Sequence, residues 1–226
     1  MSMTEDEYAY DEYMTQLYEE HKGQAIEEFT SERLQSYYSD NRLLAKPAFT
    51  ALGESRSLVG LNPTAGFLLA AIAMEARLKE ILLKPIVSGL VHTPSVASLV
   101  TDLVVSHQGM EKYRRLLLET LREHGGVDLD TYTRPDSHTP VWQEMMEVQR
   151  KRNLIVHKAD SASSQDASLA LAVAGAIIEG FFPMVVEKMG LHLHDGFRVC
   201  DDWKCKPEER KPVPLDEALK RALGRS

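Results

Sequence analysis

A long apolar segment near the C-terminus, residues 167–188, restricts the folds open to this chain. It contains Gly175, Gly180 and Pro183, yet apolar side chains surround nearly the whole circumference of the helix that it predicts. A helix that is apolar on all sides has to be covered by other elements, as in the centre of a bundle. The sequence therefore predicts an all-α fold, an antiparallel helical bundle.

The remaining helices are predicted from apolar residues at three- and four-residue steps. Asn62 followed by Pro63 is a typical helix start, and the Ala- and Leu-rich run after it predicts a helix over residues 62–83 that stops before Pro85. Further helices are predicted over residues 5–38 (a pair broken near Gly23), 95–106, 110–123 and 140–158.

The pattern divides the chain into three parts. Residues 1–61 are predicted to be an acidic helical extension followed, from residue 40, by a connector with Gly, Pro and small residues. Residues 62–188 form the bundle. Residues 189–226 form an irregular C-terminal tail, with a short strand over 197–200 and a final helix over 215–223.

Charge and composition narrow the classes of function. The 226 residues carry a net charge of −8, and residues 1–40 alone carry −9, so the rest of the chain is close to neutral. Phosphate contacts rely on Lys and Arg, and a neutral body leaves a local basic site open. The apolar stretches are shorter than the roughly 20 residues of a membrane span, and the acidic N-terminus is unlike a secretory signal. With two cysteines in the chain, we expect a cytoplasmic protein with no membrane association.

Candidate chemistry lies at the end of the helix predicted over residues 140–158. At about 100° per residue, Arg152 falls in an apolar stripe, where a guanidinium needs an acid, a carbonyl or a bound phosphate. Arg150, Asn153 and His157 fall on the neighbouring stripe. Asn153 and His157 are one helical turn apart, so both side chains can reach the same ligand.

These residue types suit the cleavage of RNA by its own 2′-hydroxyl. Histidine transfers protons near neutral pH, and the planar guanidinium of arginine fits the oxygens of a phosphorane-like transition state. An amide can orient the phosphate or the hydroxyl, and no metal is required. One such helix supplies one histidine, so two copies across a two-fold axis would supply an acid and a base.

The sequence Arg152-Asn153-x-x-x-His157 resembles the R-x4–6-H signature of the HEPN superfamily, in which Asn often follows the Arg. The position of the motif, late on a helix and before another long helix, also agrees. Residues 65–83 resemble the long Ala- and Leu-rich helix of that superfamily, with Glu75 and Lys79 in its embedded pattern. The resemblance covers residues 62–188. It implies a HEPN-like bundle and a metal-independent endoribonuclease that acts as a homodimer, in a toxin or anti-phage defence role.

The resemblance also implies roles for individual residues. Arg152 would stabilise the scissile phosphate, His157 would transfer protons, Asn153 would assist, and Glu75 would pair with Arg152. We expect an RNA substrate, a regulatory or antitoxin protein partner and no cofactor. The basic residues expected to follow the RNA backbone are Arg150, Lys151 and Lys158.

Two other interpretations of the same residues stay open. The bundle could be a non-catalytic HEPN-like module that binds nucleotide, RNA or a partner protein through the same basic groove. It could also be a structural scaffold, in which Arg152 meets Glu75 and His157 only interacts with the helix dipole. Superfamily members regulated by tyrosine modification often carry Tyr two residues after the His. Because this chain has Ala159 there, we do not expect that form of regulation.

The tail contains four residues that are able to bind a metal: His192, His194, Cys200 and Cys205. Zinc favours tetrahedral sets of N and S ligands. The four-residue gap between the cysteines is at the edge of the usual spacings, and there is no second cysteine pair. The sequence therefore favours a packed histidine pair and two thiols without a metal, with zinc as the alternative.

Overall fold

The structure is a computed structural model that describes residues 5–91, 93, 95–96, 99–100, 114–202 and 204–205. These residues are mainly helical, with one small two-stranded sheet, so the predicted all-α class is confirmed at that level.

The first half of the described chain consists of α1 Glu5–Asp40, α2 Lys46–Leu58, α3 Pro63–Ala76, a π-helical segment π1 Arg77–Leu83, and α4 Lys84–Leu90. The second half consists of α5 Arg114–Gly125, α6 Val141–Lys158, α7 Ser164–Gly175, a second π-helical segment π2 Ala176–Phe181, α8 Phe182–Lys188, β1 His192–His194 and β2 Arg198–Cys200. Since α3, π1 and α4 follow one another directly, as do α7, π2 and α8, each set forms one composite helix with a π-helical middle. We call them the first long helix (residues 63–90) and the second long helix (residues 164–188).

The second long helix packs one side into the core, but the prediction that it is covered all round is only partly confirmed, since Ala172 is exposed and Met184 is 44% exposed. Val173, Ile177 and Phe181 are all fully buried there. The helix begins at Ser164, three residues earlier than predicted, because Ser163 caps it. The Ser163 Oγ accepts the Asp166 N–H at 3.1 Å, and the Asp166 carboxylate accepts the Ser163 N–H at 2.8 Å.

The same helix, residues 164–188, corrects one expectation about apolar stretches. By length and composition it could cross a membrane, but half of its most apolar window is buried inside the protein. Core helices of soluble proteins pass the same test, because they too are apolar on all sides.

The first long helix does not stop before Pro85 but continues to Leu90, so that prediction was wrong. Proline has no N–H to give to the carbonyl four residues earlier, which here belongs to Ile81. The hydroxyl of the buried Tyr38, on α1, donates a hydrogen bond to the Ile81 carbonyl at 2.7 Å. A partner from another helix therefore satisfies the carbonyl that the proline cannot.

The second π-helical segment also frees a carbonyl. The Phe182 N–H bonds to the Ile177 carbonyl, five residues back, and Pro183 has no N–H. The Ile178 carbonyl therefore lacks both of its ordinary helical donors. Arg77, on π1, donates to it through Nη2 at 3.2 Å, so the two long helices are joined at their π-helical segments.

Arg77 is fully buried, and its guanidinium lies 3.8 Å from the centroid of the Phe182 ring and 5.0 Å from that of Phe49. Desolvation by burial lowers the pKa of Arg77 to about 9, against the opposing effects of Tyr38 and Glu179. Its Nε and Nη1 have no hydrogen-bond partner among the described residues. The faces of these two aromatic rings thus contribute cation–π stabilisation to the charge, beside the hydrogen bond to the Ile178 carbonyl.

The N-terminal region is more ordered than the sequence pattern predicts. α1 is one continuous helix through Gly23 rather than a broken pair, because an interior glycine costs a helix only about 1 kcal/mol. The predicted connector contains α2, which has Pro47 near its start and buries Phe49 and Leu52. With Leu34 and Tyr38 also in the core, the end of the extension is part of the bundle.

Other predicted helices are only partly covered by the structure. The helix predicted over residues 110–123 corresponds to α5, whose described part runs to Gly125. Most of the helix predicted over 95–106, and all of that predicted over 215–223, lie outside the described residues.

The short strand predicted over residues 197–200 is present as β2, and a strand that was not predicted, β1, pairs with it to form a β-hairpin. β1 and β2 pair antiparallel, with His192 opposite Cys200 and His194 opposite Arg198. The turn between the strands has positive φ at both central residues, 53° at Asp195 and 77° at Gly196, as a type I′ turn requires. The hairpin lies against the bundle, because the Val199 N–H bonds to the Arg42 carbonyl at 3.0 Å.

Candidate functional site

The candidate catalytic residues lie on the last two turns of α6. The helix packs into the bundle through one apolar face, which includes Met145, Val148 and Ile155. It ends after Lys158 because Ala159 adopts the left-handed conformation, with φ 54°, and turns the chain back. The opposite face of these last turns is open to solvent.

The structure brings two of the three predicted catalytic side chains together. Arg152 is half-buried at the edge of the apolar face, and its Nη1 donates to the Asn153 Oδ1 at 3.1 Å. Asn153 is exposed, and so is His157 one turn further along the helix. The guanidinium therefore finds a polar partner on its own helix, and none of the three side chains is sealed in the interior.

The predicted pair between Glu75 and Arg152 is not formed within the part of the chain that the structure describes. Glu75 is half-buried on α3 and has no ion pair or hydrogen bond to Arg152. The expectation followed from the resemblance and from a guanidinium placed in an apolar stripe, whereas Arg152 is only half-buried and its guanidinium bonds to Asn153. Glu75 is therefore not placed as the supporting acid.

The predicted RNA-binding residues separate into two groups. Arg150 and Lys158 are exposed on α6. Lys151 instead lies 3.0 Å from the Asp160 carboxylate and 3.8 Å from that of Asp166, and the hydrogen bond to Asp160 raises the pKa of Lys151. Lys151 thus links the end of α6 to the start of α7, and its charge is partly offset.

Apolar side chains lie beside the candidate site. Val156 is 51% exposed, and Leu154 is 38% exposed. Both directly flank Ile155, which is buried, so this end of α6 shows apolar surface on either side of its packed face. The exposed His157 is the next residue along the chain after Val156.

Sequence reasoning missed the arginine that is actually buried. Arg77 lies three residues after Met74 and four before Ile81, both of which are buried. The spacing that placed Arg152 in an apolar stripe would therefore have placed Arg77 in one as well. The helical spacing thus places both arginines among apolar residues, but it does not show which of the two is covered by other helices.

The four possible metal ligands of the tail meet in space. Each of His192, His194, Cys200 and Cys205 offers one ligand atom, and these four atoms all lie within 4.8 Å of one another. Cys200 is buried, the other three are half-buried, and neither cysteine forms a disulfide. The hairpin therefore brings the four residues together although the four-residue gap between the cysteines is unusual for a zinc site.

The functional assignment depends on the chemistry of these side chains. No protein-family model matches the chain, and no curated protein or solved structure is significantly similar to it.

Proposed function

We propose that the protein is a homodimeric, metal-independent endoribonuclease with Arg152, Asn153 and His157 in its active site. The observation that carries the proposal is the contact between Arg152 and Asn153 beside an exposed His157 at the solvent-facing end of α6. A half-buried guanidinium held by a neighbouring amide is pre-positioned to bind an anion.

The proposed reaction is attack by the 2′-oxygen of a ribose on the adjacent phosphorus. A general base removes the 2′-hydroxyl proton, the bond from phosphorus to the 5′-oxygen breaks, and a general acid gives a proton to that oxygen. The products are a 2′,3′-cyclic phosphate and a 5′-hydroxyl. Arg152 would stabilise the charge on the phosphate oxygens, and Asn153 would hold Arg152 and the phosphate in position.

Each α6 supplies one histidine, and the reaction uses an acid and a base. A two-fold axis beside His157 would bring two copies together, and the exposed Val156 and Leu154 supply apolar surface for that contact. The exposed Arg150 and Lys158 add positive charge for the RNA backbone on a protein that is acidic overall. The resemblance to HEPN nucleases favours a cytoplasmic toxin or anti-phage defence role, with a regulatory or antitoxin partner.

Substitution of the catalytic candidates tests the proposal. We expect Arg152→Ala or His157→Ala to lower cleavage of a mixed RNA pool by at least about 100-fold, because each removes charge stabilisation or proton transfer from the transition state. His138→Ala, which removes an exposed loop histidine, is the matched control and should cleave like the wild type. Cleavage is measured by product sequencing, and circular dichroism checks the fold.

Three results would contradict the nuclease proposal. They are full activity in His157→Ala, a wild-type rate that does not change between about pH 5 and 8, and RNA binding by the wild type without any product. The last result would favour the non-catalytic HEPN-like module instead.

A further inference from the structure

We propose that His192, His194, Cys200 and Cys205 bind one zinc ion, in a structural site that fixes the turn after β2 to the β-hairpin. The proposal is independent of the nuclease proposal, because it concerns other residues and other chemistry.

Three of the six distances between the four ligand atoms match the edges of a zinc tetrahedron, and all six are within 4.8 Å. Zn–S bonds of about 2.3 Å and Zn–N bonds of about 2.0–2.1 Å give edges of about 3.8 Å for S–S, about 3.5 Å for S–N and about 3.3 Å for N–N. The corresponding distances here are 3.7 Å between the two Sγ atoms, 3.4 Å from the Cys205 Sγ to the His194 Nε2, and 3.2 Å between the two histidine Nε2 atoms. All three types of edge therefore agree to within about 0.2 Å.

The hairpin explains how an unusual spacing produces this arrangement. Side chains alternate along a strand, so His192 and His194 lie on the same face of β1. Cys200 is directly opposite His192 in the antiparallel register, which places it on that face too. Leu193 and Val199 lie on the other face, where Val199 is buried in the core. The strand geometry thus brings three ligands together before the chain reaches the fourth.

The turn after β2 returns the fourth ligand. The Cys205 N–H bonds to the Asp202 carbonyl at 3.1 Å, and the Lys204 N–H bonds to the Asp202 Oδ1 at 2.9 Å. The Asp202 N–H in turn lies 3.5 Å from the Cys200 Sγ. A peptide N–H directed at sulfur stabilises a thiolate, the form that binds zinc, and such outer-shell bonds orient metal ligands.

The composition of the site indicates both the metal and its role. Two thiolates and two imidazoles in a tetrahedron favour zinc among the common divalent metals. Four protein ligands leave no position for water or substrate, which is typical of a structural site. The hairpin is itself held by the bundle, through the Val199 N–H to Arg42 bond and the 3.0 Å ion pair of Arg42 with Asp201. The metal would therefore fix Cys205 to this end of the bundle.

The test is the zinc content of the full-length chain, purified in reducing buffer without a polyhistidine tag. We expect about one zinc per chain by elemental mass spectrometry. We also expect the Co²⁺-substituted protein to show the visible d–d bands of a tetrahedral ion and thiolate charge-transfer bands. Cys205→Ser should reduce the zinc content and weaken the charge-transfer bands, whereas His138→Asn, at an exposed loop, should change neither.

A second measurement covers the case in which Cys205→Ser fails to fold. Wild-type protein stripped with a chelator is titrated with zinc against a chromophoric competitor, and uptake of one equivalent with recovery of the thermal midpoint would support the site. Absence of zinc both as purified and after titration would overturn the proposal, as would full zinc content in folded Cys205→Ser. A Cys200–Cys205 disulfide in protein prepared with zinc and reductant would also overturn it. Zinc content is measured without reference to RNA cleavage, so the two proposals can fail separately.

Discussion

Ala159 ends α6 in a backbone conformation that suits glycine better than alanine. Its φ of 54° brings the Cβ close to the backbone, at a cost of about 1–2 kcal/mol for a residue other than glycine. The turn directs Asp160 back toward Lys151 of α6, and the two side chains form an ion pair at 3.0 Å. The strain therefore lies directly after the candidate site and sets the direction in which the chain leaves it.

We expect Ala159→Gly to raise the free energy of unfolding by about 0.5–1 kcal/mol, because relief of the strain exceeds the added entropy of the unfolded chain. Ala172→Gly, at an exposed position inside α7, is the matched control and should lower it by about 0.5–1 kcal/mol. Denaturant unfolding measures both. A loss of stability in Ala159→Gly would mean that the left-handed turn is not formed.

Two arginines show what helical spacing can and cannot predict at the level of a residue. Arg152 and Arg77 both fall in apolar stripes, but Arg152 is half-buried and Arg77 is fully buried. The difference depends on the neighbours: Arg77 lies on the face of π1 that packs into the core, whereas Arg152 lies next to the solvent-exposed face of α6. A single helix pattern does not contain that information.

The two π-helical segments show how prolines are accommodated inside long helices. At π1 the Tyr38 hydroxyl donates a hydrogen bond to the Ile81 carbonyl. At π2 the Arg77 guanidinium donates one to the Ile178 carbonyl. Both donors come from a different helix. Each long helix therefore depends on its neighbours to continue past its proline.

Removal of the Tyr38 hydroxyl tests this dependence. We expect Tyr38→Phe to lower the free energy of unfolding by about 1–2 kcal/mol, because the buried Ile81 carbonyl loses its donor. Tyr37→Phe is the matched control, since the Tyr37 hydroxyl makes no hydrogen bond among the described residues. Thermal and denaturant unfolding give the comparison, and equal effects of the two substitutions would argue against the role of this hydrogen bond.

The assembly proposed for catalysis is a property of the whole molecule. We expect Val156→Asp to convert the homodimer to a monomer and to abolish RNA cleavage, because a charge on this 51%-exposed surface would have to be buried in the contact. Leu43→Asp alters another apolar residue, 54% exposed, next to Arg42 at the hairpin end, and should leave the dimer intact. Analytical ultracentrifugation separates the outcomes. Dissociation by Leu43→Asp alone would place the dimer contact at the wrong end of the bundle for catalysis.

Helix patterns predicted much of the architecture correctly because they depend on short-range spacing. The helix over residues 167–188 and the extent of α6 follow from apolar periodicity. The helix α2 was missed because Gly and Pro in residues 46–58 outweighed its apolar face, whose partners lie on α3. The proposed nuclease residues were chosen from one helix, so their relative placement could be predicted there, but the absence of the Glu75–Arg152 pair could not.

The amino-acid sequence by itself determined the all-α class, most of the helical segments and which residue types are available for chemistry, since these depend on side-chain properties and local spacing. Only the tertiary structure decided that Arg77 is buried and that the Tyr38 hydroxyl bonds to the carbonyl that Pro85 leaves without a donor. It also decided that two histidines and two cysteines converge. Each of these depends on groups from separate elements, whose distances are set by packing and strand register rather than by separation along the chain.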